Sequence, residues 1–261
     1  MGEQMQNSPR GIISGSTLKW IAIITMLIDH AAVVLLIGWA RYRHGWGSGI
    51  ESQAFYSAMR SIGRLAFPIF CFLLAEGFSH TKNPWKYLLR LSLFALISEL
   101  PFDLAFQNTL QGRCWIEFSG QNVFFTLALG LLAILLWKQL MHSRMIQSPT
   151  LRAGAAAACV LMLCLTARFL HTDYGALGVA LIVAFWLLRE QPWLRDLCGL
   201  GILAAMILFG SHWIELLGAL SFILFHLYNG ERGHQPKYFF YIFYPVHLLL
   251  LVLLRYLLFS L

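Results

Sequence analysis

LKWIAIITMLIDHAAVVLLIG, residues 18–38, decides how the rest of the chain is read. At 1.5 Å per residue, 21 residues make a helix roughly 30 Å long, the thickness of a bilayer's hydrocarbon core. The run is too long for the apolar region of a cleaved signal peptide and lacks a small-x-small cleavage site. It reads as a membrane span carrying two ionisable residues, Asp29 and His30.

Eight more apolar runs follow, near 61–79, 87–106, 122–140, 153–170, 175–189, 194–210, 212–228 and 238–259. Strict alternation is absent, so helices and not barrel strands are expected. Turn chemistry separates the runs, as at Lys82-Asn83-Pro84, Ser148-Pro149, Gln191-Pro192 and Asn229-Gly230. The fold class is therefore all-α, a polytopic membrane helix bundle of about nine spans. Residues 1–16 read as a flexible cytoplasmic tail and 17–261 as one transmembrane domain, with no repeat and no soluble domain.

Composition agrees. Of the 261 residues, 59% are hydrophobic and only 12% charged, against about 25% charged in an ordinary soluble domain. So few charges exclude a water-soluble fold, and the high hydrophobicity excludes a disordered chain. The net charge is +7. Its cations lie in short loops, with no basic patch interleaved with base-stacking aromatics, so a nucleic-acid partner is not indicated. Twelve Lys and Arg fall on the N-terminal side of the runs and seven on the other. The positive-inside rule then puts the N-terminus in the cytoplasm. Five scattered cysteines carry no disulfide or zinc spacing. There is no Walker loop, nucleophile elbow, dinucleotide fingerprint or metal set.

An ionisable side chain at the bilayer centre costs about 2.5–3.5 kcal/mol on insertion scales, so each needs a partner or a task. His30 lies near the midplane, and imidazole titrates near neutral pH. A hydrogen-bonded core histidine and a general base are both open readings for it. Arg60 and Arg64 share one face of the second run, and Glu99 and Asp103 share one face of the third. Their depths match on antiparallel neighbours, so two stacked ion pairs are expected, Arg60–Asp103 and Arg64–Glu99. Asn122 and Thr126 make one polar face at the outer end of the fourth run. His247 follows Pro245 at nearly the depth of His30, which suggests a closed ring of helices with a polar centre. Arg255 is expected to snorkel. His44, His142, His171, His212 and His234 read as solvated.

Several segments occur together and in order: Leu18 to His30, Arg64-Leu-Ala-Phe-Pro-Ile-Phe70, Tyr87 to Asp103, Asn122 to Gly130, Asp173-Tyr-Gly175, Tyr228-Asn-Gly-Glu-Arg-Gly233 and Lys237 to His247. With them the chain resembles the TraX family, integral membrane proteins linked to N-terminal acetylation of a conjugative pilin. It is also similar, more distantly, to the multi-span acyltransferases that carry an essential His on an early span, the position that His30 matches. The resemblance implies acetyl transfer from acetyl-CoA to an acceptor amine, the N-terminus of a pilin or another membrane peptide.

On that reading His30 takes the acceptor's proton, with Asp29 or Glu99 favouring the imidazolium. Asn122, Arg64 or His247 is the expected oxyanion donor. Lys82, Lys86, Arg232 and Lys237 would dock the CoA phosphates, and the Asn229–Glu231 loop would admit the acyl arm. Two rival classes remain. Buried charges and broken helices also suit a proton-coupled transporter, and a non-enzymatic pilin-assembly factor would hold a membrane peptide without turnover.

Overall fold

The computed structural model describes residues 11–36, 50–106, 118–234 and 238–259. These are all helical apart from turns and isolated bridges. Helix α1, Gly15–Ala31, continues as a π-helical turn, Ala32–Leu36. There follow α2 (Ile50–Gly63), α3 (Ala66–His80), α4 (Pro84–Phe106), α5 (Val123–Met141), α6 (Pro149–Phe169), α7 (Gly175–Leu187) and α8 (Pro192–Leu208). A 3₁₀ helix, Trp213–Leu220, leads into α9 (Ser221–His226), and α10 (Phe239–Phe259) closes the described chain.

The starts follow local chemistry. Ser14, Asn122 and Ser148 cap α1, α5 and α6 by accepting a backbone N–H. Pro149 and Pro192 sit in the first turns of α6 and α8, where a missing N–H costs nothing. Residues 11–16, assigned above to the loose tail, are paired with the segment before α10. Ile13 N–H donates to the Leu227 carbonyl (3.0 Å), and Gly15 and Ser16 donate to those of Glu231 and Arg232 (2.8 and 2.9 Å). Only residues 1–10 of that tail lie outside the described residues.

Five stretches among the described residues are long and apolar enough to cross a membrane: Gly15–Leu36, Gln53–His80, Val123–Met141, Pro149–Phe169 and Phe239–Phe259. This fits a multi-pass membrane protein but corrects the expected nine spans. The remaining runs fail for physical reasons. Helix α4 is long at 23 residues but carries Lys86, Arg90, Glu99 and Asp103. Helix α7 has 13 residues, α8 has 17, and the run at 212–228 splits into 8 residues of 3₁₀ helix and 6 of α9. The second run also starts earlier than expected, with α2 at Ile50, and breaks at Arg64-Leu65.

The surface is inverted relative to a soluble protein. Leu93, Leu96 and Ile97 of α4, Leu161 and Leu165 of α6, and Leu250 and Leu257 of α10 face outward. Asp29, Arg64, Asp103, Asn122 and His247 are buried. Helix α7 is apolar on every side and lies at the centre against α3, α5, α6 and α8, as such a helix must. Gly130 permits its closest approach, because a Cβ there would overlap Ile182. Arg255 does not snorkel. It is buried and donates to the carbonyls of Leu104 (3.0 Å) and Ala105 (3.5 Å), tying α10 to the end of α4.

Candidate functional site

The short elements build the site. Thirteen residues of α7 rise only about 20 Å, so the turn before it, Thr172-Asp173-Tyr174, is drawn into the bundle. Backbone at that depth must be satisfied by protein. Gln121 N–H donates to the His171 carbonyl (3.1 Å), Asp173 N–H donates to the Gln121 carbonyl (2.8 Å), and Thr126 donates to the Asp173 carbonyl. Tyr174 adopts a left-handed backbone, φ 62°, a conformation that costs a bulky residue about 1–3 kcal/mol. Its ring stacks on Phe67 at 3.6 Å. The short 3₁₀ helix in the same way carries Glu215 inward.

Four charges from three elements and one helix break converge there. Arg64 Nη2 donates to both Asp29 carboxylate oxygens at 2.9 Å, and Nη1 donates to Glu215 Oε1 at 2.6 Å. Arg60 Nη1 donates to Asp29 Oδ2 at 2.5 Å. Gly63 makes this possible, since a Cβ there would overlap the Asp29 carboxylate. The expected pairs Arg60–Asp103 and Arg64–Glu99 are therefore not formed. Helix α2 packs on α1 and the 3₁₀ helix, whereas α4 packs on α5 and α10. Glu99 instead accepts from Asn122 Nδ2, which also donates to the Ala95 carbonyl (2.8 Å).

His30, in the last turn of α1, and His247, two residues past Pro245 in α10, form a dyad. His30 Nδ1 lies 2.7 Å from His247 Nε2, and His247 Nδ1 lies 2.8 Å from the Phe243 carbonyl. A carbonyl only accepts, so His247 Nδ1 carries the hydrogen. The neutral His247 Nε2 then accepts from His30 Nδ1–H. This leaves the lone pair on His30 Nε2.

His30 lines a cavity of about 220 Å³ together with Asp29, Arg60, Arg64, Asp173 and Tyr174. Asp173 is exposed to this void, with protein packed close around it. Burial lifts its carboxyl to about 6, with Arg64 and Arg60 opposing and Glu215 and Asp29 reinforcing the rise. A second cavity of about 570 Å³ opens on the side of the α1 N-terminus, where Lys19, Lys82, Arg90 and Arg232 face Glu76. Met26, Phe70, Val123 and Tyr244 line both cavities and form the partition between them.

Of the residues marked in the sequence, His30, Asp29 and Arg64 reach the small cavity, with His247 behind His30. Glu99 and Asn122 do not line either cavity; they clamp α4 to α5 and cap α5. Lys82 and Arg232 line the large cavity, whereas Lys86 is exposed outside it. Asn229 and Glu231 form a turn, Glu231 N–H donating to Asn229 Oδ1 (2.9 Å), that holds the start of α1. Lys237 lies outside the described residues. Sequence reasoning missed Glu215, Asp173 and Tyr244. Glu215 carried a usable signal, an acid inside an apolar run, the same feature that singled out Asp29.

The chain is 31% identical over 255 residues, 91% of its length and 94% of the relative's, to the "Probable fimbrial assembly protein FimC, serogroup H1" of Dichelobacter nodosus. No solved structure matches. The family model described as "TraX protein" matches residues 14–255. That stretch includes both histidines and every charged residue of the small cavity, and the chain belongs to the TraX family.

Proposed function

We propose that this protein is an integral membrane N-acetyltransferase, moving an acetyl group from cytosolic acetyl-CoA to an acceptor amine, with His30 as general base. The observation that carries the reading is the His30–His247 dyad on the wall of a small cavity that shares a partition with a larger, cation-lined one. Volumes support a division of labour. At about 570 Å³ the large cavity falls in the ~300–1,000 Å³ range of ligand sites. Its four cations against one carboxylate suit the phosphates of acetyl-CoA. The small cavity, about 220 Å³, is below that range and suits only the end of an acceptor, such as a peptide N-terminus.

The acceptor is proposed to be the N-terminus of a pilin or another membrane peptide. The fimbrial name of the relative supports that context. The chain would lie in the bacterial inner membrane with its N-terminus cytoplasmic. The large cavity then faces the cytosol, where the donor is. In the reaction His30 Nε2 accepts the proton of the attacking amine, while His247 fixes the ring and its tautomer through Nδ1.

The fimbrial name also supports a second reading, an assembly factor without turnover. One experiment separates them. Purified chain in detergent is incubated with acetyl-CoA and a peptide bearing a free N-terminus, and CoA thiol and acetylated peptide are followed. Turnover that His30→Ala abolishes supports the enzyme; peptide binding without turnover supports the assembly factor.

A further inference from the structure

The three residues expected from the sequence to stabilise a thioester oxyanion are all committed elsewhere. Asn122 Nδ2 is held by Ala95 and Glu99. Arg64 is bound to two carboxylates. His247 uses one ring nitrogen on Phe243 and the other on His30. Yet charge that develops on a carbonyl oxygen in a water-poor site needs a donor.

Tyr244 answers that need. It is 3% exposed and is one of four residues lining both cavities. Its ring lies 6.0 Å from that of His30, edge-on. Its phenol carries a hydrogen that can be donated. The other three partition residues, Met26, Phe70 and the Val123 side chain, offer no side-chain donor.

We infer that the Tyr244 hydroxyl donates to the acetyl carbonyl oxygen at the partition and stabilises the oxyanion of the transfer step. This rests on the acetyl-transfer reading above and adds a catalytic residue to it. The acceptor nitrogen forms a bond to the carbonyl carbon, and the π pair moves to the oxygen, where Tyr244 O–H meets it. The amine proton goes to His30 Nε2. Collapse of the oxyanion breaks the C–S bond, and the CoA thiolate takes the proton from His30. Amine and thioester become amide and thiol, with no further reactant.

The test uses the full chain in detergent and acetyl-CoA labelled with heavy carbon at its carbonyl. Infrared difference spectra report the carbonyl stretch of the bound thioester. The expected result is a lowered stretch in wild type and in His30→Ala, lost in Tyr244→Phe, which keeps the ring and its packing. In turnover, Tyr244→Phe lowers kcat by about 10²–10³ with KM for acetyl-CoA unchanged. An unchanged stretch and kcat in Tyr244→Phe, with His30→Ala inactive, overturns this assignment and leaves the enzyme reading standing. Failure of wild type to bind acetyl-CoA overturns the enzyme reading and takes the assignment with it.

Discussion

His30 Nδ1 and His247 Nε2 are 2.7 Å apart although 217 residues separate them in the chain. The rings lie 9° from parallel, and His247 is in turn stacked on Phe243 at 4.7 Å. A chain of hydrogen bonds thus runs from a backbone carbonyl of α10, through two imidazoles, to one free lone pair at a cavity. The first and last described helices must both be in place before that lone pair has a defined direction.

His30→Ala should lower kcat for acetyl transfer by about 10²–10⁴, the range for losing a general base. His247→Phe keeps the stacking but removes the acceptor that fixes the tautomer. It should lower kcat less than His30→Ala while leaving acetyl-CoA binding intact. Steady-state kinetics on both variants decide this; a larger loss in His247→Phe than in His30→Ala would reverse the assigned roles.

Arg64→Met leaves Asp29 short of one of its two partners and Glu215 without its guanidinium. Breaking a buried pair in this way costs about 3–5 kcal/mol, and the midpoint of thermal unfolding in detergent should fall accordingly. Adding Glu215→Gln should recover part of the loss, because the orphaned charge is removed. Strict additivity of the two substitutions would show that no coupling exists between them.

Asp173 gives a pH signature. Its folded carboxyl titrates at about 6, against 3.8 when unperturbed. The folded chain therefore holds a proton that the unfolded chain has released, so stability from this group is present below about pH 4 and is lost as pH rises through about 6. Asp173→Asn removes the penalty. Its unfolding midpoint should match wild type near pH 4, exceed it increasingly up to about pH 6, and stay above it by a constant margin at higher pH. A difference that ignores pH would argue against a raised carboxyl.

Gly63 and Gly154 form an internal comparison. A Cβ at Gly63 would overlap the Asp29 carboxylate, whereas one at Gly154 meets nothing within 4 Å. Gly63→Ala should lower the unfolding midpoint and impair turnover by displacing Asp29. Gly154→Ala, in a helix interior, should be neutral or stabilising by up to about 1 kcal/mol. Calorimetry or a thermal-shift series on both variants measures this.

Lys82→Ala and Arg232→Ala should each raise KM for acetyl-CoA several-fold with little change in kcat, since both line the large cavity and neither lines the small one that His30 faces. Lys86→Ala should change neither constant, because that side chain faces away from it. An equal effect from all three would point to general surface charge in place of a defined cavity.

The sequence alone determined that this chain is helical and rich in apolar spans, because 59% hydrophobic residues and 12% charged ones admit few other solutions in water or lipid. It also marked Asp29, His30, Arg64 and His247, because an ionisable group inside an apolar run is costly wherever it packs. Pairing was beyond its reach. Matched depth on two adjacent runs suggested Arg64 with Glu99, but depth says nothing of the direction a helix face points. That direction is settled by close packing: Gly63 lets α2 lie against α1, so Arg64 meets Asp29. Span count failed for a related reason. Hydropathy measures how apolar a run is but not how deep its ends lie. Helix α7 is apolar because it is enclosed by neighbours, and its shortness and that of the 3₁₀ helix are what carry Asp173 and Glu215 towards Arg64. Tyr244 was one aromatic among several in its run; only the meeting of two cavities at its ring distinguished it.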